Sequence, residues 1–420
     1  MNGIESKLTD FLKQYPTDKI SIGLSGGIDS IVLLHALSKF RNQYQFTLKA
    51  IHINHSLQEK SKDWAVFCET FCQQLGIEFI AVELNDSPTE GNSIEAWARQ
   101  KRYEAFENIL AADQCNYLYL AHHQNDQVET FLLNLMRGSG VNGLSAMPSV
   151  RTTNHYTLIR PLLTIPRSNI EAYANHHHLK WIDDPSNDNT RFDRNFMRHE
   201  IVNKLNQRFN ALNNISQSAI FCQETAQLLD QYLQNDLTSI LIDEQYLDHL
   251  SLLKLDKIKQ IQLIRLWIKQ QNIIPPNRNK MNQFIDSIQF AKNNWQLHFN
   301  DYVLILYNDL LRLYKDIPEI PESFHIQWSG EVINLKEYDF SITKLDLHSL
   351  GIDSDKLNWQ DVIIRARKAN DYCRPIGRNK QNKLKIIFQE KQIPLWLRKR
   401  TPIIEYQGKI IAVGKLFGCN

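Results

Sequence analysis

The chain has 420 residues, of which 43% are hydrophobic and 22% are charged, and its net charge is +2. This length predicts two or three domains, and the composition is that of a globular protein with enough apolar material for hydrophobic cores. The absence of a run of about twenty uncharged apolar residues argues against a membrane-spanning helix, and the N-terminal residues lack the apolar centre of a signal peptide. We therefore expect a cytoplasmic protein without membrane contact. Scattered cysteines predict free thiols at Cys68, Cys72, Cys115, Cys222, Cys373 and Cys419.

The first two hundred residues alternate short β-rich runs with amphipathic helical runs. Strands separated by helical crossovers predict right-handed βαβ units, and therefore an α/β fold with a Rossmann-like parallel sheet covered on both faces. We assign residues 1–212 to this domain. The predicted strands are Lys19–Ser25, Thr47–Asn54, Glu78–Leu84, Tyr117–His122 and Leu158–Leu163, and the predicted helices are Ser30–Phe40, Asp63–Leu75, Ser93–Ala112, Asp126–Met136 and Arg167–His178.

The rhythm of the sequence changes after this first domain. Asn214–Asn235 and Leu252–Gln271 are predicted as amphipathic helices without intervening strands, which indicates a small helical domain at residues 213–316. Ile317–Ile320, flanked and interrupted by prolines, is a predicted linker. Short β-rich runs dominate residues 324–420, which indicates a third domain of α+β or β-rich type.

Charge is distributed unevenly along the chain. Ile363 to Asn420 contains fourteen Lys and Arg residues against three Asp and Glu residues, a balance of +11, so the remainder of the chain carries −9. A basic region on an otherwise acidic chain favours a polyanionic partner such as nucleic acid, although lysine-rich solvated surfaces are common.

The sharpest local signal is the run Ser25-Gly26-Gly27-Ile28-Asp29-Ser30, between a predicted strand and a predicted helix. Two successive glycines let the backbone approach a ligand closely and adopt positive φ. Backbone N–H groups, the two serine hydroxyls and the following helix N-terminus then converge on an anion. A tight strand-to-helix turn capped by serine is the alternative interpretation. The sequence lacks both the Walker motif G-x-x-x-x-G-K-S/T and the dinucleotide motif G-x-G-x-x-G.

This run resembles the pyrophosphate-binding loop, or PP-loop, of ATP pyrophosphatases, which cleave ATP between its α- and β-phosphates. The resemblance implies that ATP adenylates an acceptor and that pyrophosphate leaves. It also implies that Asp29 helps to hold Mg²⁺ against the phosphates, since carboxylates bind the metal that neutralises a transferring group. The implied ATP-binding residues are Ser25, Gly26, Gly27, Ile28, Asp29 and Ser30.

Four further segments and the basic tail resemble the tRNA(Ile)-lysidine synthetases, in the same order along nearly the whole chain. The order and spacing of the segments together carry the resemblance. One departure is Asn125, because the family often has a pair of aspartates before the glutamine. The segments are His52-Ile53-Asn54-His55; Glu95-Ala96-Trp97-Ala98-Arg99 with Arg102-Tyr103; His122 through Thr130 with Arg137-Gly138-Ser139-Gly140; Asp183-Asp184-Pro185-Ser186-Asn187 with Arg194-Asn195; and, in the tail, Arg365-Ala366-Arg367 and Pro375 through Arg398.

The resemblance implies an enzyme that ligates free L-lysine to C2 of the wobble cytidine in tRNA(Ile) with a CAU anticodon. ATP would first adenylate the base, because AMP is a far better leaving group than the unactivated oxygen. Residues 213–316 and 324–420 would then bind tRNA. The sequence leaves the oligomeric state open, a homodimer included.

Two other functions stay open on the sequence. Another enzyme with this loop would amidate or thiolate a base or a free nucleotide, but thiolating relatives typically carry C-x-x-C. Cys68 and Cys72 are instead four residues apart on a predicted helix, where buried packing is the simpler interpretation. A non-catalytic tRNA-binding protein with a relic nucleotide site is the second alternative, against which Asp29, Asp126 and Glu129 argue.

Asp126 and Glu129 are three residues apart at the start of a predicted helix, so they share a face. Helix capping is the alternative, because acids there are favoured by about 0.3–1 kcal/mol. They follow a strand at the carboxyl edge of the sheet, where open α/β sheets bind ligands, and the resemblance implies that they recognise lysine. At a reference pKa of about 10.4 the amine of free lysine is almost fully protonated at neutral pH. We therefore expect one acid to orient the amine and the other to accept its proton, with the assignment left open.

The resemblance implies that His122 contacts the activated base or the phosphate, while the alternative is a satisfied polar residue at a strand end. Arg102 and Arg194 suit the α-phosphate and the adenylate because guanidinium groups match phosphate oxygens, although lone arginines on helices are more often solvated. His52 and His55 are expected to line the adenosine pocket or to end a strand. The predicted catalytic residues are Asp29, Arg102, His122, Asp126, Glu129 and Arg194.

Basic residues in the tail are interleaved with aromatic ones. Basic side chains give sequence-independent phosphate affinity, and aromatic rings stack on unpaired bases. A basic β-module with a core tryptophan is the alternative, and Trp396 itself is expected in the core. The predicted tRNA-binding residues are Arg365, Arg367, Lys368, Arg374, Arg378, Lys383, Lys385, Arg398 and Arg400.

Overall fold

The computed structural model describes residues 3–54, 61–84, 94–153, 155–185 and 189–420. The chain divides into two compact units, which we call the first unit (Met1–Tyr232) and the second unit (Leu233–Asn420). The division into domains 1–212, 213–316 and 324–420 stays a prediction. Within the described ranges, none of the helices combines the length and apolarity that crossing a membrane requires.

A six-stranded sheet is built into the first unit, in the order β3-β2-β1-β4-β6-β5. Neighbouring strands pair in parallel, except that the edge strand β5 is antiparallel to β6. The predicted Rossmann-like parallel sheet is thus confirmed. The strands are β1 (Lys19–Gly23), β2 (Thr47–Asn54), β3 (Glu78–Glu83), β4 (Tyr117–Tyr119), β5 (Val150–Thr152) and β6 (Thr157–Ile159).

Helices cover both faces of this sheet. Successive side chains of a strand point to opposite faces, and the neighbours Ala50 and Ile51 of β2 are buried in two different apolar clusters. One cluster contains residues of α1, α2, α3 and α7, and the other contains residues of α4. The helices are α1 (Gly3–Gln14), α2 (Ile28–Tyr44), α3 (Ser61–Leu75), α4 (Ile94–Asp113), α5 (Gln124–Met136), α6 (Val141–Leu144), α7 (Arg167–His176), α8 (Asp193–Phe196), α9 (Asn203–Arg208) and α10 (Ala211–Ile240).

The order of the strands reverses between β1 and β4, because β2 and β3 lie beyond β1 while β6 and β5 lie beyond β4. Open α/β sheets bind ligands in the crevice outside the carboxyl ends of strands at such a reversal. The glycine loop follows β1 and the His122 segment follows β4. The topology therefore brings two distant segments of the sequence to one edge of the sheet.

The second unit contains strands where the sequence predicts only helices. Between the two predicted helices lie β7 (Leu241–Ile242) and β8 (Tyr246–Asp248), so the expectation of no intervening strand is wrong. They join a sheet ordered β7-β8-β11-β10-β9, in which Leu247 pairs with the distant Leu311. Strands of two and three residues are too short for a detectable period and depend on that pairing. The other elements are α11 (His249–Leu253), α12 (Lys257–Gln270), α13 (Arg278–Ile288), β9 (Trp295–Phe299), β10 (Tyr302–Tyr307) and β11 (Leu310–Lys315).

The remainder of the second unit is β-rich, as predicted. Its main sheet has the order β12-β15-β18-β19-β20, and β13-β14 and β16-β17 are separate pairs. Trp396 is buried and its ring packs 5.2 Å from that of Tyr307, which confirms it as a core residue. The elements are β12 (His325–Gln327), β13 (Ile333–Leu335), β14 (Phe340–Ile342), α14 (Lys344–Ser349), β15 (Val362–Arg365), β16 (Tyr372–Cys373), β17 (Asn382–Lys383), α15 (Leu384–Glu390), α16 (Leu395–Arg398), β18 (Ile403–Tyr406), β19 (Lys409–Val413) and β20 (Phe417–Gly418).

Candidate active site

A cavity of about 460 Å³ lies in the first unit, at the carboxyl ends of β1, β2 and β4. This is the crevice at which the strand order reverses. The size suits a nucleotide-sized ligand, because small-molecule pockets in proteins span about 300–1,000 Å³. The lining residues are Gly23, Leu24, Ser25, Asp29, Ser30, Ile51, His52, Ile53, Asn54, Trp64, Arg99, Arg102, Tyr103, Phe106, Leu120, Ala121, His122, Asp126 and Asp184.

The loop between β1 and α2 is held in shape by its own serines. The hydroxyl of Ser30 donates to the Gly27 carbonyl oxygen over 3.0 Å and lies 3.1 Å from Oγ of Ser25. Gly26 has a φ of +86°, a conformation that favours glycine, and a Cβ there would lie 2.8 Å from Cδ1 of Ile182, which would have to move. Within the described structure α2 begins without a side-chain cap, which leaves N–H groups of its first turn for an anion.

Asp29 stands in the first turn of α2 and lines the cavity, with 28% of its side chain exposed. In the part of the chain that the structure describes, its Oδ1 has no hydrogen-bond partner, although Nε2 of His123 lies 3.5 Å away. The buried ring of His123 also lies 3.6 Å from Oδ2 of Asp126. Burial opposes protonation of His123, but the carboxylates of Asp126 and Asp29 outweigh it and raise the pKa. His123, which sequence reasoning did not single out, therefore links the loop to the acids.

Two further histidines line the cavity. Burial lowers the pKa of His122 to about 3, so the ring is neutral, and its Nδ1 lacks a hydrogen-bond partner among the described residues. His52 is buried in β2, and its Nδ1 lies 2.9 Å from the carbonyl oxygen of Leu24, so Nδ1–H donates to that oxygen. Burial lowers the pKa of His52 as well. The structure thus brings His122 and His52 into one cavity.

Four charged side chains form what we call the cavity cluster: Asp126 and Glu129 on α5, Arg194 on α8, and Arg198 in a π-helical segment at Met197–Val202. Arg194 donates from Nη2 to Oδ1 of Asp126 over 2.8 Å and from Nε to Oε2 of Glu129 over 2.7 Å. Arg198 donates from Nε to Oε1 of Glu129 over 2.6 Å and from Nη2 to Oε2 over 3.1 Å. Sequence reasoning missed Arg198, although its distance of four residues from Arg194 indicates a shared helical face.

The two acids of the cluster face different surroundings. Asp126 lines the cavity, whereas Glu129 is 1% exposed and is not among the described lining residues. Oδ2 of Asp126 accepts the backbone N–H of His123 over 2.9 Å, so the capping role coexists with its place in the cavity. Burial opposes ionisation of Asp126, but the charges of His123 and Arg194 hold its pKa well below the usual range. Asp126 is therefore a carboxylate that is reluctant to take up a proton.

One wall of the cavity is formed by α4, which carries Arg99, Arg102, Tyr103 and Phe106. Arg102 is a predicted site residue and lies in this wall. Tyr103 belongs to a motif segment but was given no role from the sequence, and Phe106 and, on α3, Trp64 were not singled out. Their signal is the spacing of three residues between the two rings on α4, which places both on one helical face. An aromatic wall beside the glycine loop suits the flat, apolar face of a nucleobase.

The remaining motif residues differ in whether the structure places them at the cavity. Asp184 lines the cavity, whereas His55, Ser186 and Asn187 lie outside the described residues. Asn125, where the resemblance departs from the family, accepts the backbone N–H of Arg167 over 3.2 Å. This position therefore supports the start of α7 rather than the cavity.

The cysteines of α3 are packing residues. Cys68 and Cys72 are buried, and all six cysteines of the chain are free thiols, as predicted. Burial raises the pKa of Cys68 and of Cys72 to about 12. Because the thiolate is the reactive form, neither residue suits a sulfur-transfer step.

In the second unit, Arg365 lies in what we call the C-terminal cluster, with Asp371 and Glu405. Its Nη2 and Nη1 donate to Asp371 over 2.8 and 3.1 Å, and its Nε donates to Glu405 over 2.6 Å. Burial opposes the charge of Arg365, but these hydrogen bonds outweigh it and raise the pKa. Arg365 is thus committed to stabilising the sheet, and this geometry speaks against its predicted contact with tRNA.

The other predicted tRNA-binding residues divide by exposure. Arg398 is buried, and its Nε donates to the carbonyl oxygen of Ile393 over 2.7 Å. Arg367 and Arg400 are half-buried. Five cations are exposed and form what we call the exposed basic set: Lys368, Arg374, Arg378, Lys383 and Lys385.

Known families match both ends of the chain. Residues 1–205 match the PP-loop domain, and residues 362–420 match the TilS substrate C-terminal domain. The first match spans the sheet, the loop and the cavity cluster.

Full-length relatives are each described as a tRNA(Ile)-lysidine synthase. The protein of Coxiella burnetii is 36% identical over 396 residues, which cover 93% of this chain and 87% of the relative. That of Actinobacillus pleuropneumoniae is 34% identical, with 98% and 99% covered. That of Francisella tularensis is 35% identical, with 99% of both chains covered.

Proposed function

The chain belongs to the tRNA(Ile)-lysidine synthase family, and we propose that its cavity adenylates the wobble cytidine of tRNA(Ile) and lets free lysine displace AMP. The enzyme ligates lysine to C2 of that cytidine in a tRNA with a CAU anticodon and converts ATP to AMP and pyrophosphate. The modified base, lysidine, pairs with A instead of G. One observation carries the proposal: a single cavity joins the glycine loop to Asp126 of the cavity cluster.

Adenylation is assigned to the loop side of the cavity. The first turn of α2 and the loop backbone would hold the phosphates, while the wall with Tyr103 and Phe106 would hold the adenine. The partly exposed carboxylate of Asp29, whose Oδ1 accepts no hydrogen bond within the described structure, fits Mg²⁺, which usually binds one or two carboxylates together with substrate phosphates. The metal would neutralise the charge on the phosphates. Arg102, in the wall formed by α4, is assigned to the α-phosphate.

Lysine transfer is assigned to the cluster side. Asp126 lines the cavity and has a depressed pKa, so it suits the acid that orients the ammonium rather than the one that accepts its proton. Glu129, behind Asp126, is then the candidate acceptor, a role that requires the guanidinium of Arg194 to leave its Oε2. The neutral ring of His122 is placed to contact the base or the phosphate with its Nδ1, which has no partner among the described residues.

Contact with the tRNA phosphates is assigned to the exposed basic set, because its five cations reach solvent while Arg365 and Arg398 are buried. Such contacts would be independent of sequence and sensitive to salt. The compartment that supplies ATP, lysine and tRNA together is the cytoplasm, which we assign to the protein.

The direct test is incubation of the purified chain with ATP, Mg²⁺, labelled lysine and tRNA(Ile) with a CAU anticodon. We expect label in the tRNA, AMP and pyrophosphate in equal amounts, and no reaction with a tRNA whose wobble base is not cytidine. ADP and orthophosphate as products, or AMP and pyrophosphate without label in the tRNA, would refute the proposal.

Asp29→Ala tests the loop. Because Asp29 is partly exposed and its Oδ1 lacks a hydrogen-bond partner in the described structure, the variant should still fold, with a small loss of stability from the missing charge beside His123. We expect adenylation to fall by about a thousandfold, the order of several kcal/mol that a bound metal contributes. Formation of adenylated tRNA at the wild-type rate would remove Asp29 from the mechanism. Asp10→Ala, on the exposed part of α1, is the matched control.

A further inference from the structure

Guanidinium groups already occupy the oxygens of both proposed lysine-binding acids. Arg194 donates to Asp126 over 2.8 Å and to Glu129 over 2.7 Å. Arg198 donates to the two oxygens of Glu129 over 2.6 and 3.1 Å. The other oxygen of Asp126 accepts the backbone N–H of His123. In this arrangement of the described residues, an ammonium group cannot lie between the two acids.

The charges of the cavity cluster lead to the same conclusion. Two carboxylates and two guanidinium groups make its four members neutral together. A third cation would face two others at close range, where burial reduces the screening of like charges. Lysine therefore binds these acids well only if one guanidinium leaves.

The two arginines differ in position. Arg194 bridges the acids, which is the position a single cation needs to contact both carboxylates. Arg198 holds Glu129 through two hydrogen bonds, and its closest approach to Asp126 is 3.7 Å. The exchangeable cation is therefore Arg194 rather than Arg198.

We propose that Arg194 is a built-in counter-ion whose place the ammonium of lysine takes, and that the displaced guanidinium turns to the anionic phosphate in the cavity while Arg198 stays on Glu129. This inference rests on the proposed lysine and ATP sites. It makes lysine binding and phosphate contact two consequences of one side-chain movement.

The surroundings of Arg194 give the displaced guanidinium a direction. Its Nη2 donates to Oδ1 of Asp126, which lines the cavity. The Arg194 side chain is 28% exposed, so it is not enclosed by the protein core. An adenylate in the cavity would offer it phosphate oxygens, which suit the planar fork of a guanidinium.

Lysine affinity of full-length variants tests the exchange, measured by calorimetry at one pH. In Arg194→Met no cation lies between Asp126 and Glu129. Lysine should therefore bind about tenfold more tightly, the factor that one charge-assisted hydrogen bond contributes. In Arg194→Lys a tethered ammonium still fills the place, so affinity should not rise. Lysine transfer should be slow in both variants. Equal or weaker lysine binding by a folded Arg194→Met would overturn the exchange.

A measurement on the wild-type protein covers the case in which Arg194→Met fails to fold. The Nε–H groups of Arg194 and Arg198 both bond to Glu129 and should exchange slowly with solvent in arginine-labelled NMR spectra. Saturating lysine should remove protection from Arg194 and leave that of Arg198 intact. Unchanged protection of both groups would overturn the exchange. The spectrum of Arg194→Lys identifies the Nε–H signal of Arg194, because that signal is missing from it.

Lys204→Ala is the matched control. Lys204 forms an exposed ion pair with Glu200 on the same stretch of chain, outside the cavity cluster, so lysine affinity should not change. Wild-type protein that transfers no lysine to tRNA(Ile) in the presence of ATP would refute the proposed function itself. Wild-type protein that binds lysine while Arg194→Met binds it less well would refute only the exchange.

Discussion

The cavity cluster and the C-terminal cluster use the same chemistry for different purposes. Each joins arginine to two carboxylates with hydrogen bonds of 2.6–3.1 Å. In the C-terminal cluster, Arg365 lies in a sheet strand, is 11% exposed, and also donates to the carbonyl oxygen of Ala366. In the cavity cluster the arginine side chains are 28% and 25% exposed, and Asp126 borders a large cavity.

The difference shows that an ion pair acquires a function from what lies beside it. A buried guanidinium that makes four hydrogen bonds within a sheet is held in place, whereas a partly exposed one beside a cavity can exchange partners. Breaking either pair leaves an uncompensated buried charge, which costs about 3–5 kcal/mol. Variants that separate loss of stability from loss of catalysis therefore distinguish the two clusters.

The largest difference is expected between Glu129→Gln and Asp371→Asn. Both replace a buried carboxylate with an amide of the same shape, and both should lower the free energy of unfolding by about 3–5 kcal/mol. Only Glu129→Gln should slow lysine transfer, by about a hundredfold or more, because it removes a proton acceptor. Adenylated tRNA should then accumulate.

Urea unfolding and single-turnover assays on folded protein measure the two effects. The comparison fails if Asp371→Asn slows transfer as much as Glu129→Gln does. Loss of adenylation in Glu129→Gln with lysine affinity unchanged would also contradict it.

A fall in pH is expected to lower the stability of the first unit through His122, which lines the cavity. Its folded pKa is about 3, against an ordinary value of 6.5. Below pH 6.5 the imidazole of His122 is therefore protonated in the unfolded chain but not in the folded chain, and the free energy of unfolding falls as the pH falls. At pH 5 the loss is about 2 kcal/mol, from 1.5 pH units at 1.36 kcal/mol each. His122→Asn should remove this part of the loss between pH 7 and pH 5.

Chemical unfolding at the two pH values measures this slope. His155→Asn, at a side chain that is 60% exposed, should keep the wild-type slope. An unchanged slope in His122→Asn would mean that the imidazole is not held neutral in the cavity.

The smallest effect is expected at the exposed basic set. Lys368→Gln with Lys385→Gln should flatten the log–log dependence of tRNA affinity on salt by about 0.7–0.9 for each phosphate that the variant no longer neutralises. Lys336→Gln, an exposed lysine of the second unit before the basic tail, should leave the slope unchanged. Binding curves at four or more salt concentrations decide the question.

Equal slopes in all these variants would favour the other view of the tail, in which its charges maintain solubility or a dimer interface. A changed molecular mass of the variants in solution would then be expected. Point substitutions are the sharper design, because ending the chain near Asn358 would remove β15 and β18 to β20 from one sheet.

The local sequence pattern was sufficient to predict most of the strands and helices of the first unit. The sequence predicts β2 at Thr47–Asn54, and the strand has those bounds. The crossover pattern predicts the parallel sheet that is found. The prediction failed at β7 and β8, where two- and three-residue strands exist only through pairing with a distant part of the chain.

The candidate site residues could be selected from sequence alone: the glycine turn, Asp29, and the acids at the start of α5. These signals are local, since spacing along a strand or helix fixes them. Only the tertiary structure decided which charges are available. It placed Arg198 on Glu129, buried Arg365 between two carboxylates and left Lys368 in solvent. The sequence does not show which carboxylate an arginine will contact, because its partner lies on a chain segment that approaches it only after folding.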